Sequence, residues 1–161
     1  MLYFSSMRVV KIVLVALAVI FALIQFVRVD KSNPPVVAEN SMEAAINVPA
    51  DIQQILARSC NDCHSNKTVY PWYTQVAPVS WWLRNHINEG RRELNISEFA
   101  TYNDRKKGKK LEEICEQVRS GEMPLPSYLI VHSEAPLSES DKNALCDWSN
   151  SERAKFEKPA S

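Results

Sequence analysis

The chain has 161 residues, with 19 Lys and Arg against 19 Asp and Glu, so its formal charge is zero. That balance excludes the basic surface of a nucleic-acid binder and the acidic block of a charged tail. Three glycines leave no room for a Gly-rich phosphate loop, and the length suits one folded domain of ordinary size.

Apolar residues are concentrated at the start. From Val9 to Val27 every residue except Lys11 and Gln25 is apolar. As a helix this run spans about 28 Å, close to the hydrocarbon core of a bilayer. It has no polar face, which sets it apart from a core helix of a soluble domain. Arg8 and Lys11 flank its start, and Arg28 and Lys31 its end. The charge count is therefore nearly even, and the free amino terminus tips it toward an N-terminus on the cytoplasmic side. Ala16-Leu17-Ala18 has the small-x-small form of a cleavage site but lies in mid-run. Residues 1–29 are read as an uncleaved signal-anchor.

Residues 30–50 carry Pro34, Pro35 and Pro49 without clear periodicity, so they are read as a stiff tether. The domain proper is expected over 51–153, with a charged tail at 154–161. It is read as all-α. Asp51 is placed as the cap of a first helix, in which Ile52, Ile55 and Leu56 share a face and which ends near Cys60. An aromatic loop, Tyr70-Pro71-Trp72-Tyr73, leads to a second helix from about Pro78 to Leu94. On a helical wheel Val79, Trp82, Leu83, His86, Ile87, Gly90 and Leu94 form its apolar side. A third helix is placed at 104–120 with a stripe of Leu111, Ile114, Cys115 and Val118, stopped by Gly121. Ser138-x-x-Asp141 resembles a capping box and starts a fourth, which carries Ala144, Leu145 and Trp148. No stretch shows a period of two.

The chemical signal is Cys60-Asn61-Asp62-Cys63-His64. C-x-x-C-H is the attachment motif of c-type haem. Two thiols one turn apart can each bond a haem vinyl carbon, and the next residue then lies under the iron as its proximal ligand. Three rival readings exist. A thioredoxin-like C-x-x-C needs a βαβ context that is absent. A zinc site would have to recruit Cys115 and Cys146, which lack the C-x-x-C form. A plain Cys60–Cys63 disulfide is the third. One covalently attached haem c is the cofactor favoured.

A sixth iron ligand is needed for a low-spin electron carrier. Met123 is preferred, because Gly121 ends a helix before it and Pro124 and Pro126 stiffen its loop. His86 and His132 are the alternatives. Met42 is set aside as part of the tether. Cys115 and Cys146 remain, and outside the cytoplasm two leftover thiols favour a disulfide.

Several segments resemble a bacterial family of membrane-anchored haem-binding domain proteins, which are c-type cytochrome-like. They are the anchor with Asn33-Pro34-Pro35, Cys60-Asn61-Asp62-Cys63-His64-Ser65-Asn66, Tyr70-Pro71-Trp72-Tyr73 and Pro78-Val79-Ser80-Trp81-Trp82. Further along come Glu89-Gly90-Arg91, Leu94-Asn95-Ile96-Ser97-Glu98-Phe99 and Gly121-Glu122-Met123-Pro124. The order is also similar to class I cytochromes c, in which a haem motif ends an N-terminal helix and a Met loop precedes a C-terminal one. That resemblance implies a cytochrome c-like helical fold with Cys60, Cys63, His64 and Met123 in those roles. The expectation is a monohaem electron carrier with its domain on the periplasmic side of the bacterial inner membrane, anchored in that membrane's lipid. Its partners would be periplasmic or membrane redox proteins, and no nucleic acid. The alternative is an open-site haem peroxidase or small-molecule sensor, in which Trp81 or Trp82 would hold a radical and His86 act as distal base.

Overall fold

The structure is a computed structural model and describes residues 2–157, with side chains from residue 7 onward. Of the expected anchor residue 1, and of the expected tail residues 158–161, lie outside the described residues. Eight α-helices and three 3-10 turns make up the described chain, which has no strand. The all-α expectation therefore holds. The helices are α1 (Leu2–Ile24), α2 (Met42–Ala45), α3 (Ala50–Ser59), α4 (Asn61–His64), α5 (Val79–Glu93), α6 (Asp104–Ser120), α7 (Pro126–Leu129) and α8 (Glu139–Arg153).

The chain forms two compact units. One holds the residues up to Ser32 together with Tyr70–His86, and the other holds Asn33–Val69 and the chain from Ile87 onward.

In the first unit α1 is long and apolar enough to cross a membrane. Its stretch Met7–Ile24 has a mean hydropathy of 2.6, and none of it is buried. Just past it, the Gln25 amide pairs with the backbone of Ala77 in both directions, donating at 3.1 Å and accepting at 2.9 Å. The Trp81 indole donates to the Val27 carbonyl at 2.8 Å, and Lys31 donates to the Thr74 carbonyl and the Gln75 side chain. The stretch 25–31 is thus stitched to the 3-10 turn Trp72–Gln75 and to the first turn of α5. Here the wheel misleads. Val79 and Trp82, placed on an apolar side that should be covered, are 41% and 47% exposed.

The second unit is a helical core built on α6 packed along α8. Both boundaries of α6 follow from local chemistry. The Asn103 side chain caps its N-terminus by accepting from the Lys106 N–H, and Gly121 closes it in the left-handed region at φ 78°. Ser138 starts α8 with a full capping box, in which Asp141 returns the hydrogen bond. Leu111, Val118, Leu145 and Trp148 bury their stripes between the two helices, with Phe99 closing the core.

Two expectations change. Asp51 does not cap α3: Pro49 holds the cap position and Asp51 lies inside the first turn, where its charge still suits the helix N-terminus. The segment expected as a tether joins the core in its second half. Met42, Ile46 and Val48 are buried, and the Trp148 indole donates to the Asn47 carbonyl at 2.8 Å. Met42 fills space left by the short helices.

Cys115 and Cys146 form the disulfide expected of them, joining α6 to α8 across 31 residues of sequence. Replacing both by serine should lower the free energy of unfolding by about 3–4 kcal/mol, because a loop of that length no longer restrains the unfolded chain. Denaturant unfolding of the full chain in detergent, followed by circular dichroism, measures the difference. An unchanged transition contradicts it.

Candidate haem site

The C-x-x-C-H motif sits where α3 gives way to α4. Helix α3 ends at Ser59, Cys60 leaves helical geometry, and the Cys60 carbonyl then accepts from both Cys63 (3.2 Å) and His64 (2.9 Å). This tight turn sets the two sulfurs and the imidazole on a short, rigid frame. Cys60 and Cys63 are free thiols, not a disulfide. Burial, with the neighbouring thiol second, pushes Cys60 up to about 12; burial and then Asp62 push Cys63 up to about 11. At neutral pH both sulfurs therefore stay as S–H groups.

His64 is held by the end of α5. Its Nδ1 lies 3.0 Å from the Gly90 carbonyl and 3.1 Å from that of Leu94. Two acceptors at one nitrogen fix the tautomer, with the proton on Nδ1 and the lone pair on Nε2. These carbonyls belong to the negative end of a helix, which raises the basicity of the ring. Burial, the largest influence, nevertheless holds the imidazole below its usual pKa and so neutral. A neutral ring with a free Nε2 is the form that ligates a metal.

Gly90 makes this contact possible. A Cβ there would meet the Cys63 carbonyl oxygen at 2.6 Å. The helical wheel placed Gly90 on the apolar side of the helix, and its close neighbour there is the backbone of the motif.

A cavity of about 420 Å³ opens beside the motif, and Cys60, His64 and Met123 all line it. Its walls are largely aliphatic, with Leu56, Leu94, Ile114 and Leu145 among them. The volume falls within the range of about 300–1,000 Å³ common for small-molecule and cofactor sites. Sequence reasoning did not single out Lys110, which also lines it. The ammonium lies 2.6 Å from Glu113 and 3.4 Å from Glu93. Burial alone would lower its pKa, but Glu113 and then Glu93 outweigh that and raise it. Lys110 is the cationic side chain facing the cavity among the described residues, so it is the one able to meet an anionic substituent.

Neither His132 nor His86 is among the residues that line the cavity. His132 stacks on Tyr128 with ring centres 3.8 Å apart, and its Nδ1 meets the Tyr128 carbonyl at 2.9 Å. Its other nitrogen faces the Asp62 carboxylate at 4.0 Å. His86 belongs to the first unit, packed on Trp82 at 4.3 Å, with Nδ1 buried and lacking a hydrogen-bond partner. Cys115 and Cys146 are spent in their disulfide, which removes the four-cysteine zinc set. No cluster of three or more His, Cys, Asp or Glu poised for a metal ion occurs among the described residues.

Two supports of the site were not foreseen. Asp62, inside the motif, accepts from the Tyr128 hydroxyl at 2.8 Å and from the Val69 N–H at 3.0 Å. With the Ser59 hydroxyl on the Ala135 carbonyl at 2.9 Å, it ties the motif to the segment that follows Met123. Burial and then Asp62 hold the Tyr128 phenol protonated, above its ordinary range. On the other flank Arg91 donates to the Ser65 carbonyl, the Asn33 side chain and the Thr68 hydroxyl. Asn66 bonds to the Pro35 carbonyl and Glu98, and accepts from Asn95. Several segments quoted for the resemblance thus converge as a clamp around the loop after His64.

The family model described as "Haem-binding domain" matches residues 19–151. The chain belongs to the haem-binding domain family. Neither a curated protein nor a solved structure matches the chain significantly. The cavity fits what the family name describes. It joins a neutral histidine, whose Nδ1 is held by backbone carbonyls, to the Cys60 thiol and an aliphatic wall, with the Cys63 thiol in the same turn.

Gly90→Ala should cost about 1–3 kcal/mol, because the new methyl must push α5 off the motif turn. Thermal unfolding of the haem-free chain reads the loss, and an unshifted midpoint contradicts the close approach. Tyr128→Phe should lose about 1.5–3 kcal/mol, the worth of a hydrogen bond to a carboxylate, concentrated at residues 126–132. Faster amide exchange there, with α6 and α8 still protected, is the expected pattern.

Proposed function

We propose that the chain is a membrane-anchored monohaem c-type cytochrome that carries single electrons on the periplasmic side of a bacterial inner membrane. One observation carries it: Cys60, His64 and Met123 line one aliphatic cavity, with His64 oriented by α5.

The roles divide by residue. Cys60 and Cys63 are the residues that would hold the porphyrin, through thioether bonds formed by addition of each S–H to a vinyl group. His64 offers Nε2 as the proximal ligand, and the Gly90 and Leu94 carbonyls keep its ring from turning. Met123 offers its thioether from the loop between α6 and α7. Lys110, which lines the cavity, would meet a propionate. The bound haem supplies the redox couple, its iron alternating between ferric and ferrous. A thioether ligand sets a higher reduction potential than a second histidine does. Leu56, Leu94, Ile114 and Leu145 line the cavity and would limit the access of water to a group bound there. Redox proteins of the same membrane or of the periplasm are the partners proposed.

Compartment and anchor support each other. The Cys115–Cys146 disulfide belongs to an oxidising space, and a single apolar helix with its N-terminus inside would deliver the domain there.

Optical spectra of the full chain, matured with c-type machinery and held in detergent, test the ligand set. The wild type should show the ferric thioether–iron charge-transfer band and stay inert to carbon monoxide. Met123→Ala should lose the band and bind carbon monoxide stoichiometrically. An identical spectrum in the variant removes Met123 and moves the sixth ligand to His86 or His132. High-spin iron in the wild type contradicts the carrier function.

A further inference from the structure

We infer that the segment Tyr70–Arg84 is a second membrane contact, an aromatic shelf resting in the headgroup region beside the exit of α1. It rests on the reading of Met7–Ile24 as a membrane span. The observations lie within one unit. Hydrogen bonds from Gln25 to Ala77 and from Trp81 to the Val27 carbonyl hold this segment against the residues that follow the apolar helix. Its depth is therefore fixed by the span: Ala77 and Trp81 touch positions one to three residues past Ile24.

At that depth the surface is unusual for one facing water. Trp72 is 78% exposed and Trp82 47%, with Val79 between them in sequence and Phe26, itself 83% exposed, on the span side. Four large apolar side chains exposed within one compact unit call for a partner. The mixture points to lipid. Tryptophan and tyrosine favour the membrane interface, where an apolar ring meets hydrocarbon and a polar edge meets water. Arg28, Lys31 and Arg84 belong to the same unit and supply the cations that such a belt places among phosphates. Those hydrogen bonds also tie the segment to the residues directly after Met7–Ile24, a stretch of which none is buried. A bilayer is thus the one occupant that covers both at once. It also accounts for the exposure of Val79 and Trp82 on the apolar side of α5.

Photolabelling of the full chain in phosphatidylcholine nanodiscs tests this. Two diazirine-bearing phosphatidylcholines serve as probes, one with the diazirine at the top of an acyl chain and one with it at the tip. Peptides from 7–27 should be labelled by both. Peptides from 70–84 should be labelled by the shallow probe alone, several-fold above those from 104–120. Trp72→Gln with Trp82→Gln should cut the 70–84 label several-fold and leave that of 7–27 unchanged. Label on 7–27 with none on 70–84 overturns the shelf and leaves the span. Label on neither overturns the span and the shelf with it. Equal label on 70–84 and 104–120 overturns a specific contact.

Discussion

The tautomer of His64 depends on where α5 ends. Two carbonyls, of Gly90 and Leu94, take the Nδ1 proton, and everything useful about the imidazole follows from that. The ring is neutral because it is buried. It presents Nε2 because Nδ1 is engaged, and it cannot rotate because two acceptors hold one donor. The approach that allows this is backbone against backbone: Gly90 lies so near the Cys63 carbonyl that no side chain fits between. The motif turn and the end of α5 are therefore one rigid piece, and the remaining contacts keep that piece in register. Arg91 and Asn66 brace it on one flank, Asp62 and Ser59 on the other.

Second-sphere order of this kind is what a ligand site needs before a metal arrives. A histidine free to rotate would lose conformational entropy on binding iron, whereas His64 has lost it already on folding. The thiols follow the same logic. Burial keeps Cys60 and Cys63 protonated, so they are poor thiolate ligands for a metal ion. The two remaining cysteines are locked between α6 and α8, so the four thiols divide cleanly into a chemical pair and a structural pair.

Much of this was legible in the residues. Helix α6 ran from Asp104 to Ser120 as read, because its stripe is regular and Gly121 is a stop that only glycine makes easily. The Ser138 box was legible because capping is local chemistry. The motif pointed to haem, and family membership supports haem binding. What escaped was of three kinds. Short elements such as α2 are too brief to show a period, so Met42 read as tether when it is core. Backbone acceptors such as the Gly90 carbonyl carry no signature in residue type. Long-range pairings such as Asp62 with Tyr128 join residues 66 apart, which spacing alone cannot pair. The wheel for α5 was right for Ile87, which is buried, and misled for its first turn. Val79 and Trp82 are exposed where a protein core was assumed.

The central claim is that Cys60 and Cys63 bond one haem above His64. Intact mass of the full chain, matured with c-type machinery and then denatured, tests it most directly, alongside a count of free thiols. The account predicts a mass raised by one haem, no free thiol after denaturation, and haem lost from the chain on Cys60→Ser with Cys63→Ser. An unmodified mass with two titratable thiols, and haem released by the denaturant, would contradict it.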